Sequence, residues 1–145
     1  HLSPAADNRA DDNQMSESFY LTNMVPQDPG HNRGIWRILE IAVRNTAMTN
    51  DIYVVSGTIY DPGFKTIGAG RVGVPSRIWK IVYNATNGET IAFLFPNAKL
   101  STKDLPKYAV TVDEVEKATG INVFPKLDER AEARFDPAKW PEIFK

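Results

Sequence analysis

The side chains best able to do chemistry lie in the first 44 residues of this chain. A histidine stands at position 1, an amide at Asn32, a carboxylate at Glu40 and a guanidinium at Arg44. A neutral imidazole near pH 7 is a suitable general base, and a hard cation such as Mg²⁺ prefers oxygen ligands and keeps several waters. The set therefore suits a phosphodiesterase with one metal ion, in which His1 activates water and Asn32 holds the cation.

Each of these residues also has a purely structural interpretation. Asn32 is among the best residue types for capping the start of a helix. Glu40 and Arg44 stand four residues apart, so on a helix they could form a surface ion pair worth only a few tenths of a kcal/mol. In the catalytic interpretation, Glu40 instead accepts hydrogen bonds from metal-bound water, and Arg44 meets a phosphate oxygen or braces that network.

Composition limits the possible classes of protein. The 145 residues suit one domain, and 42% hydrophobic with 24% charged residues is ordinary for a globular chain. The absence of cysteine excludes disulfides, thiolate zinc sites and cysteine nucleophiles within this chain. A formal net charge of -1 gives no overall attraction for nucleic acid. Two local basic groups stand out, however: Arg33, Arg37 and Arg44, and then Arg71, Arg77 and Lys80, the second being more typical of a solvated face.

The elements expected to position the first group are a strand and a helix. Residues 5–18 are polar and predict a loop or a short irregular helix. Alternation predicts a strand over Phe19–Val25, and an apolar stripe predicts a helix from about Asn32 to Arg44. Asn32, Glu40 and Arg44 would follow one border of its buried face. His31 is interpreted as a loop residue near the site.

The remainder of the chain predicts a sheet and a short carboxy-terminal helix. Three strands are expected, the first nearly fully buried and the last two joined by a turn at Asn87-Gly88: Asp51–Tyr60, Ser76–Tyr83 and Glu89–Phe95. Thr111–Glu114 has the pattern of a capping box, opening a helix that Gly120 would close. Trp36 and Trp79 are expected in the core. The tail from Asp128 onward is expected to pack against the domain as an irregular segment, here called the carboxy-terminal strap. The fold class is a mixed α+β domain.

Taken together, several segments resemble the DNA/RNA non-specific endonuclease family, which includes secreted bacterial nucleases and mitochondrial endonuclease G. The likeness runs in the family's order over about residues 1–125. The segments that carry it are His1–Asp7, Leu21–Gln27, Asn32-x-Gly-x-Trp-x-x-Leu-Glu40, Val55–Ile59, Val74-Pro-x-x-x-Trp-Lys80, Ala92–Asn97 and Val112–Gly120.

The resemblance implies a ββα-metal site on a mixed, antiparallel sheet with flanking helices. Its core would cover about residues 1–45, and residues 1–145 would form the carboxy-terminal part of the endonuclease domain. His1 would be the general base, and Asn32 the direct protein ligand of Mg²⁺, for which Mn²⁺ or another divalent cation could substitute. Glu40 would contact the metal through water, Asn23 would position active-site groups, and Arg44 would bind phosphate or bound water.

The implied activity is hydrolysis of DNA and RNA without regard to the sugar, leaving 5′-phosphate ends. The family motif is Asp-Arg-Gly-His, and its first three residues lie outside this sequence, including an arginine that stabilises the pentavalent phosphorus. A catalytically impaired nucleic-acid-binding or interaction domain of the same fold is therefore the alternative. An HNH nuclease is disfavoured, because Asn32 stands where that group has a metal-binding histidine.

Expectations about partners and location also follow from the resemblance. The expected partners are DNA and RNA, a proteinaceous inhibitor and a second copy of the chain, with no membrane involved. A secreted or periplasmic bacterial protein is expected in preference to a mitochondrial one.

Overall fold

The computed structural model describes residues 1–145 as helices packed on an antiparallel sheet. The helices are α1 (Asp12–Glu17), α2 (Pro29–His31), α3 (Arg37–Ala47), α4 (Val112–Thr119) and α5 (Glu129–Glu132). The strands are β1 (Ile52–Ile59), β2 (Thr66–Ile67), β3 (Val72–Gly73), β4 (Arg77–Asn84), β5 (Glu89–Pro96) and β6 (Ala109–Val110). Short 3₁₀ helices cover Ala5–Asp7, Thr102–Tyr108 and Pro137–Lys139. No helix combines the length and the apolar character needed to cross a membrane.

The strand expected over Phe19–Val25 is not formed. After α1 the backbone continues in tight turns, in which the amide of Phe19 donates to Ser16 and that of Asn23 to Tyr20. The apolar side chains of this segment are largely exposed, Leu21 by 89%. Alternation alone was misleading here, because a strand also needs a neighbouring strand to pair with along its length.

The helix that carries the candidate site begins earlier than its apolar stripe suggests. Asp28 caps it, accepting hydrogen bonds from the amides of Gly30 and His31, and Pro29 occupies the first helical position. Asn32–Trp36 then forms a π-helical turn that is kinked at Gly34, and α3 continues the helix. Wide turns of this kind are frequent at functional sites, because they change which side chains share a face.

The main sheet has four antiparallel strands in the order β1-β4-β5-β6, and β2 pairs only with β3. β4 and β5 are almost entirely buried, whereas β1 is an edge strand. The expectation that β1 is nearly fully buried is wrong, since Tyr53 and Val54 are exposed by 60% and 43%. Gly57 of β1 lies directly against the indole of Trp79, so any larger residue there would displace the ring.

Two apolar clusters form on opposite faces of the sheet. The larger joins α3 to the β4 and β5 side chains that include Ile78, Val82 and Phe93, and the smaller joins α4 to Trp79 and Ile81. This alternation follows from the two-residue period of a strand. It places Lys80 on the same face as Ile78 and Val82, which is the face covered by α3.

The carboxy-terminal part closes the core as the sequence predicts. Thr111 and Glu114 form a reciprocal capping box at the start of α4, and Gly120 ends the helix at φ 73°. α5 and the following strap return to the sheet, where Trp140 is buried at 1% exposure. A mixed helix and antiparallel-sheet architecture is therefore confirmed.

Candidate active site

One cavity of about 390 Å³ brings together four of the five predicted site residues. His1, Asn32, Glu40 and Arg44 all line it. The first comes from the amino-terminal segment, the second from the π-helical turn and the last two from α3. His1 thus shares one cavity with three residues that lie 31 to 43 positions later in the chain.

The histidine segment is held by Asn23, the fifth predicted residue. The Asn23 side chain accepts a hydrogen bond from the Ser3 amide at 2.9 Å and donates to the carbonyls of Ser3 and Ser18 at 2.8 Å each. Its backbone carbonyl accepts from the Leu2 amide at 2.9 Å. Asn23 does not line the cavity of His1, so its contacts suit the positioning of that segment.

The imidazole of His1 is oriented by packing. Its ring meets that of Phe19 edge-on, with centroids 4.5 Å apart. Its Nε2 atom is buried and has no hydrogen-bond partner within the chain. A buried polar atom without a partner is costly, so the burial of this nitrogen must be offset by the packing around the ring.

Asn32 is not the helix cap, so that structural interpretation is excluded. Asp28 performs the capping, and the Asn32 backbone is already helical, with φ -60° and ψ -48°. The Asn32 side chain is exposed and lines the cavity. Its amide oxygen is therefore free of a capping role and can serve as a metal ligand.

Glu40 stands between two cavities. It also lines a second one, of about 310 Å³, together with Asn23 and Lys80. Burial raises the pKa of the Glu40 carboxyl, and the Lys80 ammonium acts in the opposite direction. A half-buried carboxylate balanced by a nearby cation suits the binding of water on a metal ion.

Lys80 is the functional candidate that sequence reasoning missed. It is only 2% exposed, and its Nζ lies 4.3 Å from the centroid of the Trp36 ring. Burial lowers its pKa to about 8, while Glu40 raises it. The available signal was one charge within the apolar strand Ile78–Val82, since a lysine there must be buried with a partner.

The other basic residues are also arranged differently from the sequence interpretation. Arg44 does not pair with Glu40 but with Asp7, its Nε lying 2.6 Å from the carboxylate. Arg77 pairs with Asp61 at 3.1 Å, and Arg71 lies beyond it in the β2–β3 hairpin at φ 52°. Because Lys80 is buried, the expected second basic group does not form a single face.

His31 is a core residue rather than a loop residue. It is fully buried, packs against Trp36 and Phe95, and has its Nδ1 2.8 Å from the Gln27 side-chain amide. Burial lowers its pKa to about 4. By packing against Phe95 of β5, His31 anchors the helix at the residue that precedes Asn32.

The expectation that Trp36 and Trp79 lie in the core is confirmed.

Comparison with known proteins identifies the family to which this arrangement belongs. The family described as "DNA/RNA non-specific endonuclease" matches residues 1–130. The chain belongs to this family. The mitochondrial nuclease EXOG of Xenopus laevis is 35% identical over 88% of the chain, and the mitochondrial endonuclease G of Caenorhabditis elegans is 31% identical over 96%.

A solved structure of a family member agrees with the fold. EndoG, crystallised in complex with EndoGI, superposes with a TM-score of 0.82 and 27% identity over 90% of the chain. The chain spans 40% of the Xenopus protein, 50% of the worm protein and 60% of that EndoG chain.

The comparisons correct the expectation about location. A secreted or periplasmic bacterial protein was favoured, but the relatives that match include mitochondrial EXOG and endonuclease G from several animals. A nuclease of Nostoc also matches, at 32% identity over 94% of the chain and 55% of its own length. The similarity points to the mitochondrial nucleases, so the expectation was wrong.

The side chains that line this cavity are of the types that can bind a divalent cation. The cavity has an unpartnered buried nitrogen at His1, an exposed amide at Asn32 and a half-buried carboxylate at Glu40. In residue type, a base, an amide oxygen and a carboxylate are the groups that a hard cation and an attacked phosphate need. Cysteine is absent, so a thiolate metal site is excluded for these residues.

Proposed function

We propose that the chain carries the metal and general-base centre of a Mg²⁺-dependent endonuclease acting on DNA and RNA. The observation that supports it best is the convergence of His1, Asn32, Glu40 and Arg44 on one cavity. Membership of the non-specific endonuclease family supports the same reaction class.

In this proposal His1 takes a proton from the attacking water. His1 lines the cavity, and its contact with Phe19 and the hydrogen bonds of Asn23 to Ser3 restrict where the ring can lie. A base held within hydrogen-bond reach of water contributes about 10²–10⁴-fold to such a reaction.

Asn32 would hold the cation directly, and Glu40 would hold it through bound water. When bound, Mg²⁺ would neutralise charge on the phosphate and assist the leaving oxygen. Mn²⁺ or another hard divalent cation could replace it. Lys80 would keep Glu40 ionised, because its positive charge opposes the effect of burial on that carboxyl.

Guanidinium groups would attract the phosphate. Arg9, Arg37 and Arg44 line the cavity, and Arg44 is held in place by Asp7. Charge-assisted hydrogen bonds of this kind bind phosphate without reading the base. A net charge of -1 is compatible with this, since local charge governs binding of a single phosphate.

Cleavage is expected to ignore the sugar and the base sequence. The proposed groups contact phosphate, metal and water, and none is placed to read a base edge or a 2′-hydroxyl. Duplex DNA, single-stranded DNA and RNA should be digested in parallel at matched nucleotide concentration, and binding should weaken steeply with salt. The products should carry 5′-phosphates.

A strong sugar preference would contradict this account. A difference above about 10³-fold between DNA and RNA corresponds to roughly 4 kcal/mol of transition-state binding. Such a value would require a contact to the 2′-hydroxyl that the proposed set lacks.

A proteinaceous inhibitor and a homodimer stay predictions for this chain. The EndoG structure with EndoGI gives the inhibitor a precedent in the family.

A further inference from the structure

A second group of carboxylates lies between α4 and α5, and α4 packs on the face of the sheet opposite to α3. Asp113 and Glu116 belong to α4, and Glu132 is the last residue of α5. One oxygen of each lies within 4.8 Å of the others. None of the three forms an ion pair with a lysine or arginine; the ion pairs of the chain are Arg44–Asp7, Arg77–Asp61, Lys107–Asp104 and Lys145–Glu142.

Glu132 distinguishes this group from ordinary surface acids. Its side chain is only 6% exposed, and its Oε1 atom is buried without any hydrogen-bond partner. A buried carboxylate oxygen beside two further carboxylates is unfavourable, because it loses its hydration and is repelled by its neighbours. A bound cation would remove both penalties.

The surrounding backbone holds the three carboxylates in place. The capping box and Gly120 fix the two ends of α4. Glu116 uses Oε1 to accept a hydrogen bond from the Val123 amide at 2.8 Å, which leaves its second oxygen free. Thr90 of β5 donates to the carbonyl of Ala131, which ties α5 to the sheet next to Glu132.

We propose that Asp113, Glu116 and Glu132 form a Ca²⁺ site that fastens the carboxy-terminal strap to α4. Ca²⁺ binds oxygens at about 2.3–2.6 Å, so two ligands of one ion can lie up to about 5 Å apart. Mg²⁺ binds at about 2.0–2.1 Å in a strict octahedron, which needs a tighter group. An all-carboxylate set disfavours Zn²⁺, which prefers nitrogen and sulfur.

The site is structural and separate from the nuclease centre. It joins residues of α4 and α5 that are 16 to 19 positions apart. The loop between these helices carries Val123 and Phe124, and these two side chains pack against the smaller apolar cluster. Ca²⁺ should therefore stabilise the folded chain without being needed for cleavage of nucleic acid.

Thermal unfolding of metal-stripped protein at pH 7, with CaCl₂ added and no other divalent ion, tests the proposal. The midpoint should rise by about 5 °C or more once Ca²⁺ reaches a hundred times its Kd, since the ion binds only the folded state. Calorimetric titration should include one Ca²⁺ per chain that binds with a Kd of about 10⁻⁵–10⁻³ M and is lost in Glu132→Gln.

Variants separate this site from other places where Ca²⁺ could bind. Glu132→Gln and the exposed Asp113→Asn should each abolish the Ca²⁺-dependent rise and reduce Ca²⁺ affinity at least tenfold. Glu129→Gln removes an exposed carboxylate of the same helix that acts on Glu132 only through its charge, so this variant should keep most of the response. If Glu132→Gln does not fold, Asp113→Asn alone tests whether the Ca²⁺-dependent rise in the unfolding midpoint depends on this site.

Two results would overturn the proposal. One is a midpoint that does not move with CaCl₂ up to about 10 mM, tenfold above the weakest expected Kd. The other is a rise that persists in both Glu132→Gln and Asp113→Asn, which would place the ion elsewhere.

Discussion

His1→Ala is expected to lower the rate of DNA cleavage by at least about 10²–10⁴-fold, the contribution of a positioned general base. A neutral imidazole is suited to accept a proton from water near pH 7. Its Nε2 is unpartnered and its ring is held by Phe19, so alanine removes both the base and its placement. Single-turnover nicking of plasmid at saturating Mg²⁺ measures the effect.

Folding must be monitored in the same variant. The Asn23 side chain holds the segment through the backbone of Ser3, so removal of the imidazole should leave the far-ultraviolet spectrum and the unfolding midpoint nearly unchanged. A wild-type cleavage rate in His1→Ala would remove this residue from the mechanism.

Asn32→Ala is expected to raise the Mg²⁺ concentration required for cleavage and to lower the maximal rate. Asn32 is the only direct protein ligand proposed for the cation, so its loss leaves Glu40 to hold it through water alone. Loss of a group that hydrogen-bonds to a metal ligand typically costs about 10–100-fold in metal affinity or activity, and loss of the ligand itself should cost more. The measurement is a Mg²⁺ titration of the nicking rate.

Asn122→Ala is the matched control, because Asn122 is an exposed asparagine in the loop after α4, away from the cavity. It should titrate like the unmodified protein. Helix stability should not decrease in Asn32→Ala, since Asp28 provides the cap. An unchanged Mg²⁺ curve in Asn32→Ala would show that the ligand assignment is wrong.

Local sequence signals predicted those elements whose stabilising contacts are also local. The capping box at Thr111 and Glu114, the end of α4 at Gly120 and the hairpin of β4 and β5 depend on residues close in the chain, and all are present. The Asp28-Pro29 pair is an equally local signal for the start of a helix. The apolar stripe alone places that start at Asn32, three residues after Pro29.

Features that depend on distant partners could not be predicted in this way. The segment at Phe19 alternates like a strand but has no strand beside it. The sequence of β1 predicts a fully buried strand, but β1 lies at the edge of the sheet. His31 is buried because the helix packs against Phe95 of β5. Likewise, Lys80 contacts Trp36 and Arg44 pairs with Asp7, and in both cases the two residues are more than 35 positions apart in the sequence.

The residues that the resemblance assigns to the site lie close together in the structure, although some of the elements that carry them differ from the predicted ones. The resemblance named all five residues, and the structure brings four to one cavity while Asn23 clamps the backbone beside His1. Asp7 and Lys80 were missed as contributors, because their roles depend on Arg44 and Glu40 from another element.

Metal-dependent nicking of supercoiled plasmid tests the central claim most directly. Cleavage should proceed with Mg²⁺, stop when EDTA is in excess, and resume when Mg²⁺ again exceeds the chelator, because Asn32 and Glu40 are proposed to act through a bound cation. Undiminished cleavage in excess EDTA, by protein freed of metal beforehand, would contradict a one-metal mechanism in this cavity.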